Sequence, residues 1–126
     1  MAEPAPPLRP DCPCGSGAPY DACCGVLHRG ERQAATPEEL MRSRYSAYAL
    51  GDLGYVDRTW HPRTRPDAIT PSPGLRWTGL EVHAADGETV EFTATYDGPS
   101  GPGALHEVSR FERRARRWWY VDGDVG

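Results

Sequence analysis

All the cysteines of this chain, Cys12, Cys14, Cys23 and Cys24, lie within thirteen residues near its start. Gathering every thiol into one short segment is the arrangement a divalent metal needs. Zinc binds four ligands tetrahedrally, with zinc–sulfur distances near ~2.3 Å, and four thiolates make a closed site with no open position. Pro13 stiffens the turn between Cys12 and Cys14, and Gly15 and Gly17 can take the positive φ that a tight fold around an ion requires. Cys23 and Cys24 are adjacent, so both can bind only if the backbone bends there, and Gly25 is read as giving it room. The reading is one zinc ion held by Cys12, Cys14, Cys23 and Cys24.

A disulfide framework is the first competing account. It needs an oxidising compartment. The opening residues, rich in proline, contain no apolar core of a secretory signal. No apolar run is long enough to span a membrane. A cytoplasmic location with reduced thiols is therefore the expectation. The second account, a redox-active pair, calls for two residues between the cysteines beside a βαβ pattern. Neither feature is present.

The elements that would position this cluster can be outlined from the pattern. Residues 1–11 read as a Pro-rich tail, and residues 12–28 as a knuckle too short to have its own core, docked on the domain that comes after it. Thr36-Pro37-Glu38-Glu39 is a strong helix start: a threonine cap, proline at the first helical position and glutamate three residues after the cap. Met41, Tyr45 and Tyr48 recur at helical spacing, with Leu40 and Ala47 beside them. Gly51 ends that helix, and Asp52 can cap a second one running to about Trp60. Residues 62–74 read as loop. Strands come next at 75–84 and 89–96, joined by an Asp86-Gly87 turn, then a Gly/Pro loop over 97–103. Strands 104–112 and 117–121 complete the chain, paired across the Arg113–Arg117 turn. Two helices followed by an antiparallel meander make an α+β layer architecture, with residues 36–126 as its domain.

Chemistry outside the cysteines is sparser. His61 falls at a helix end, where an imidazolium would suit the helix dipole. His83 adjoins a turn, and His106 stands beside Glu107 on a strand, so the two point to opposite faces and cannot act as one dyad. None is read as catalytic. Tyr45 and Tyr48 share the core-facing stripe, and their hydroxyls need partners if buried. Arg44 is placed to reach from helix to sheet and pair with a carboxylate such as Glu107, or to bind an anion. Trp60, Trp77, Trp118 and Trp119 add apolar area. The basic turn of Arg113, Arg114, Arg116 and Arg117 reads as a solvated hairpin tip, with ribosomal RNA or an acidic partner as the sharper alternative.

The chain has 126 residues, enough for one domain with a single core. It carries 14 basic and 18 acidic side chains, a formal charge of −4, which argues against general binding to nucleic acid phosphate. Every basic residue among the 14 is arginine, lysine and asparagine are absent, and Ile69 is the one isoleucine. These gaps fit codon bias in a GC-rich genome better than arginine-specific chemistry.

The pattern Cys-x-Cys-x-Ser-Gly, then tyrosine, then Cys-Cys resembles the SEC-C motif, the zinc-binding segment named for the C-terminus of the SecA translocation ATPase. Arg42–Tyr48, Thr59–His61, Val90–Ala94, His106–Phe111 and Trp119–Gly123 are similar to the YchJ family of bacterial SEC-C proteins. The resemblance covers nearly the whole chain, which carries one such motif. It implies a zinc knuckle followed by a nuclear-transport-factor-like (cystatin-like) α+β cone, with helix 36–50 across the sheet. Such a cone implies a cavity, here expected to be lined by some of Arg44, Tyr45, Tyr48, Trp60, Trp77 and His106. The family implies no established activity. Two function classes stay open. The favoured one is a zinc-stabilised module whose Ser16, Ala18, Tyr20 and Asp21 contact a protein partner, such as a chaperone, or the ribosome. The other is a small-molecule-binding protein or enzyme using the cavity. No hydrolytic or redox turnover is expected, because no acid–base pair is committed to one cavity.

Overall fold

The computed structural model describes residues 10–126; most of the expected tail lies outside them. Three helices, α1 (Cys24–His28), α2 (Pro37–Leu50) and α3 (Leu53–Thr59), precede four strands, β1 (Arg76–Asp86), β2 (Thr89–Gly98), β3 (Gly101–Arg114) and β4 (Arg117–Val125). The strands form an antiparallel meander in the order β1-β2-β3-β4. This is the α+β architecture expected from the sequence. No helix among the described residues is long and apolar enough to cross a membrane.

The start of α2 arises from its capping residues. Thr36 is extended, and its hydroxyl accepts from the Glu39 amide at 3.1 Å, with Pro37 in the first turn. The Glu39 carboxylate reaches back to the Ala35 amide at 2.8 Å rather than to the cap's own amide. A cap of this kind contributes about 1 kcal/mol. Gly51 closes the helix at φ 79°, a left-handed position that glycine takes without steric cost. Asp52 then caps α3 by accepting from the Tyr55 amide at 3.1 Å.

Two cores flank α2. On the sheet side Leu40, Met41 and Tyr45 pack on Val90, Phe92, Ala94 and Phe111. The period-two alternation of β2 puts Val90, Phe92 and Ala94 on that inner face. On its other side Ala47 packs with Tyr55 and Val56 of α3 and with Leu27 of α1. Pairing is irregular at Trp77/Gly79 and Val82/Ala84 in β1 and opposite Arg110/Phe111, where Val121 of β4 is the extra residue, and such bulges bend a strand and increase its twist.

Several boundaries differ from the sequence expectation: α1 adds a short third helix to the two expected, and β1 runs to Asp86, which pairs with Thr89 and leaves Gly87 and Glu88 as the turn. The supposed loop over 97–103 is strand: Asp97 pairs with Pro102 and Gly98 with Gly101, leaving two residues to turn. The β3–β4 pairing begins only at Glu107, so Pro102 lies on an edge, where its missing N–H removes no ladder bond. Likewise β4 continues past Val121 to Val125, where the Arg110 guanidinium binds Asp122 at 2.6 Å and Asp124 at 2.7 Å. The β3–β4 turn falls at Ala115 and Arg116, both left-handed at φ 53° and 66°.

Candidate metal centre and ligand cavity

The knuckle is built by short-range hydrogen bonds. The Cys12 amide donates to Ala18 O at 2.9 Å, and the Tyr20 amide to Pro10 O at 3.0 Å, closing a small loop. Gly15 and Gly17 sit at φ 81° and 84°, the left-handed conformation their positions call for. The required bend between the adjacent cysteines is at Cys23, whose φ/ψ of −122°/−113° separates a 3-10 turn (Tyr20–Ala22) from α1. Gly25 acts differently from the expectation. It is an ordinary residue of α1, and a Cβ there would lie 2.7 Å from the Tyr20 carbonyl oxygen, so close approach rather than bending demands glycine.

This folding brings the sulfurs of Cys12, Cys14, Cys23 and Cys24 within 4.8 Å of one another, with all but Cys23 buried. A tetrahedral site with metal–sulfur bonds near ~2.3 Å needs sulfurs about 3.8 Å apart. Cys14 and Cys23 stand at 3.7 Å. Hydroxyls supply outer contacts: Ser16 Oγ is 3.2 Å from Cys23 Sγ, and Ser46 Oγ of α2 is 3.5 Å from Cys12 Sγ. The hydrogen bond from Cys24 pulls the Cys14 thiol pKa well down, and the same contact pushes that of Cys24 up. Cys23 is also raised, by burial. Four thiols this close cannot all ionise without a cation among them, which is the charge a divalent metal supplies. The donor set therefore fits one metal ion.

The knuckle is docked on α2 rather than hung from it. Arg42 donates to Cys14 O at 2.8 Å, Arg58 of α3 donates to His28 O at 2.7 Å, and Leu80 of β1 packs on the cysteines. His28, not among the residues singled out from the sequence, is buried and joins three elements. Its Nε2 contacts Ser43 O at 2.8 Å, its Nδ1 contacts the Tyr20 hydroxyl at 2.6 Å, and its ring lies 4.5 Å from that of Tyr55. A carbonyl only accepts, so Nε2 donates and, in the neutral ring, Nδ1 accepts from Tyr20. No spacing in the sequence signals this bridge, because its partners lie 8 and 15 residues away.

A second feature lies between α2 and the sheet. A cavity of about 160 Å³ has Met41, Trp77, Phe92 and Leu105 among its apolar walls and Arg44, Tyr45, Tyr48, Glu107, Ser109 and Tyr120 around them. Four expected residues, Arg44, Tyr45, Tyr48 and Trp77, therefore line it. Two do not. His106 points to the opposite face of β3, as strand alternation dictates, and binds Glu91 at 2.7 Å and Gly126 O at 2.9 Å. The Glu91 carboxylate beside it raises its pKa. Trp60 packs edge-on against Tyr120 and stacks on Arg44, and its Nε1 is buried without a partner among the described residues. Tyr48 is at the rim and 38 % exposed, outside the buried stripe expected for it.

Arg44 also departs from expectation. It is buried, yet it forms no ion pair with Glu107 or with any other carboxylate of the described residues. Its Nη1 donates to Val56 O at 2.8 Å and Thr59 Oγ1 at 2.7 Å, and its guanidinium lies 4.3 Å from the centre of the Tyr120 ring and 5.1 Å from that of Trp60. Burial lowers its pKa. The partners come from residues 56–60 and 120, too distant in sequence to be read beforehand. Glu107 is held by the hydroxyls of Ser109 and, at 3.2 Å, Tyr120, which both donate to Oε2. Its side chain crosses the position of Gly123, where a Cβ would lie 2.6 Å from its carboxyl carbon. Leu105, Glu107, Ser109 and Phe111 share one face by alternation, a signal present in the sequence and not used for the cavity.

The other histidines are structural in their contacts. His61 is buried, its amide donates to Tyr120 O at 2.7 Å, and its Nδ1 accepts from the Arg63 amide at 3.0 Å. It therefore ties the chain after α3 to β4 rather than capping a helix dipole. His83 is exposed and contacts Thr93 Oγ1 at 2.8 Å.

Comparison with known proteins decides the family. A family model described as the YchJ middle NTF2-like domain matches residues 36–123. The chain belongs to the YchJ family. Its relatives include a UPF0225 protein of Deinococcus radiodurans, 55 % identical over 118 residues that span 93 % of this chain and 90 % of the relative. A UPF0225 protein of Streptomyces coelicolor is 52 % identical, spanning 91 % of this chain and 95 % of that one. The solution structure of a SEC-C motif containing protein from Rhodopseudomonas palustris is also similar, with TM-score 0.81 and 37 % identity, covering 91 % of this chain and 98 % of that one. A crystal structure of a SEC-C motif containing protein from Psychrobacter arcticus has TM-score 0.73 and 30 % identity, covering 91 % and 82 %. In this YchJ-family chain the NTF2-like domain thus comes after a cysteine cluster of the SEC-C kind, and the two are packed together through α1 and α2.

Proposed function

We propose that the protein is a zinc-stabilised small-molecule-binding domain, in which the metal holds the knuckle and the cavity under α2 does the binding. The observation that carries this reading is the cavity itself. A core that served only stability would fill about 160 Å³ of space with apolar side chains. Here the space is kept open, and a buried arginine without an ion pair borders it. Zinc is supported by an all-sulfur donor set gathered within 4.8 Å, with Cys14 and Cys23 at 3.7 Å, and a site with four protein ligands has no position for a reacting group. Its role is therefore folding. Ligand-observed NMR against a library of small aromatic and aliphatic compounds tests the cavity. Binders should appear with the native protein and vanish with Leu105→Trp, which fills the cavity. Binders unaffected by that substitution would contradict the reading.

Contact with a protein partner or the ribosome is the second reading. It is favoured by the exposure of Gly15, Ser16, Gly17 and Pro19 on the knuckle. Placing arginine at Pro19 leaves every cysteine, and the Ser16 hydroxyl beside Cys23, intact. Loss of a copurifying protein or particle from that variant, with zinc retained, would favour this reading over the cavity.

A further inference from the structure

The cavity lining carries one charge of each sign, Arg44 from α2 and Glu107 from β3. Arg44 offers Nε and Nη2, which have no hydrogen-bond partner among the described residues, while its Nη1 is occupied by Val56 O and Thr59 Oγ1. Glu107 offers Oε1, its Oε2 being taken by Ser109 and Tyr120. Neither group is placed by chance. Arg44 is locked between the rings of Trp60 and Tyr120, and Glu107 keeps its position because residue 123 is glycine. A direct pair between them would satisfy both charges, yet no arginine nitrogen of residue 44 comes within 4.0 Å of a carboxylate oxygen among the described residues. Arg44 is buried with no carboxylate against it, which is costly, and Oε1 of Glu107 accepts nothing among the described residues, so a group that enters between them would complete both.

From this geometry, resting on the cavity reading proposed for the protein, we infer that the ligand is a ring-sized apolar molecule with one compact polar end. That end presents a hydrogen-bond acceptor to Arg44 and a donor to Glu107. The size comes from the volume: a cavity of ~150 Å³ accepts benzene, and this one is about 160 Å³. The walls of Trp77, Phe92 and Leu105 fit an aromatic or branched aliphatic body. The charges select the head. A plain carboxylate meets Arg44 but is repelled by Glu107. A plain ammonium meets Glu107 but is repelled by Arg44. A hydrocarbon leaves both unsatisfied. A head with donor and acceptor side by side satisfies both, and two sources share that chemistry: a neutral carboxamide and the zwitterion of a small amino acid.

NMR titration of the zinc-loaded full chain with five probes tests this: benzamide, phenylglycine, benzoate, benzylamine and toluene. Benzamide or phenylglycine should bind at least tenfold more tightly than benzoate, benzylamine and toluene, with shifts at Arg44, Trp77 and Glu107. Which of the two is tighter separates the amide from the zwitterion. Glu107→Gln keeps a side-chain oxygen for Ser109 and Tyr120 and removes the negative charge, so benzoate should gain about tenfold on benzamide. Equal binding of all five probes, or toluene binding most tightly, would overturn the ligand class while leaving a small-molecule cavity. An unchanged ratio of benzoate to benzamide in Glu107→Gln would overturn it as well. Absence of binding by every probe would overturn both the class and the cavity reading.

Discussion

Cys12 Sγ lies 3.5 Å from Ser46 Oγ, so a cysteine of the knuckle is in contact with the middle of the helix that roofs the cavity. Ser46 is fully buried and its hydroxyl faces the cluster. A metal-bound thiolate accepts hydrogen bonds, and such outer partners typically matter by 10–100-fold in metal affinity. Ser46→Ala should therefore weaken zinc binding about tenfold, measured by competition with a chromophoric chelator, while leaving the far-ultraviolet spectrum unchanged. Equal affinity in the variant would show that the contact is packing alone.

Leu27 couples the knuckle to the domain through apolar packing. It is buried beside Ala47, Tyr55 and Val56. Leu27→Ala should cost about 2–4 kcal/mol in urea unfolding followed by tryptophan fluorescence. A loss below about 0.5 kcal/mol would show that α1 is not part of the domain's core.

Gly25 and Gly123 should respond differently to alanine. At Gly25 the added Cβ meets the Tyr20 carbonyl, a backbone atom in a tight loop, at 2.7 Å. Gly25→Ala should distort the knuckle and lower the zinc content of the purified protein. At Gly123 the added Cβ meets the Glu107 side chain, which can swing away. Gly123→Ala should keep zinc and lose less than about 1 kcal/mol, while altering ligand binding at the cavity. The reverse pattern would mean the glycines have been assigned the wrong roles.

The β3–β4 turn offers a stabilising change. Ala115 and Arg116 are both left-handed, which costs a non-glycine residue roughly 1 kcal/mol each. Asn-Gly is the preferred pair for such a two-residue turn. Ala115→Asn combined with Arg116→Gly should stabilise the protein by about 1–2 kcal/mol in the same urea experiment. A destabilised variant would show that the turn is held by contacts the substitution removes.

The legible part of the sequence is local. The four cysteines, the Thr36-Pro37-Glu38-Glu39 helix start and the alternation at Val90, Phe92 and Ala94 each encode their structure within a few residues. The order of α2, α3 and the four antiparallel strands can be read from these signals, whereas the five-residue helix α1 carries no such signal. Features that depend on distant pairing cannot. Residues 97–103 read as loop because proline and glycine dominate them, and only the edge position of Pro102 makes a strand permissible. Charge matches Arg44 with Glu107, but Val56, Thr59, Trp60 and Tyr120 surround it instead. His28 gives no signal, because its role is fixed by Tyr20 and Ser43.

The central claim is that zinc folds residues 12–24, while the cavity domain, with Leu27 of α1 in its core, holds without the metal. A structural zinc site supplies roughly 10–16 kcal/mol of apparent binding free energy at neutral pH. The sheet-side core of Leu40, Met41, Tyr45, Val90, Phe92, Ala94 and Phe111 contains no cysteine. The decisive measurement is amide hydrogen exchange on protein of known metal content, before and after treatment with a strong chelator. About one zinc per chain is expected at the start, then loss of protection at residues 12–24 on chelation, with protection retained in β2 and β3. Protein that is folded without zinc and carries disulfides, or protection that collapses through the whole sheet on chelation, would contradict the claim.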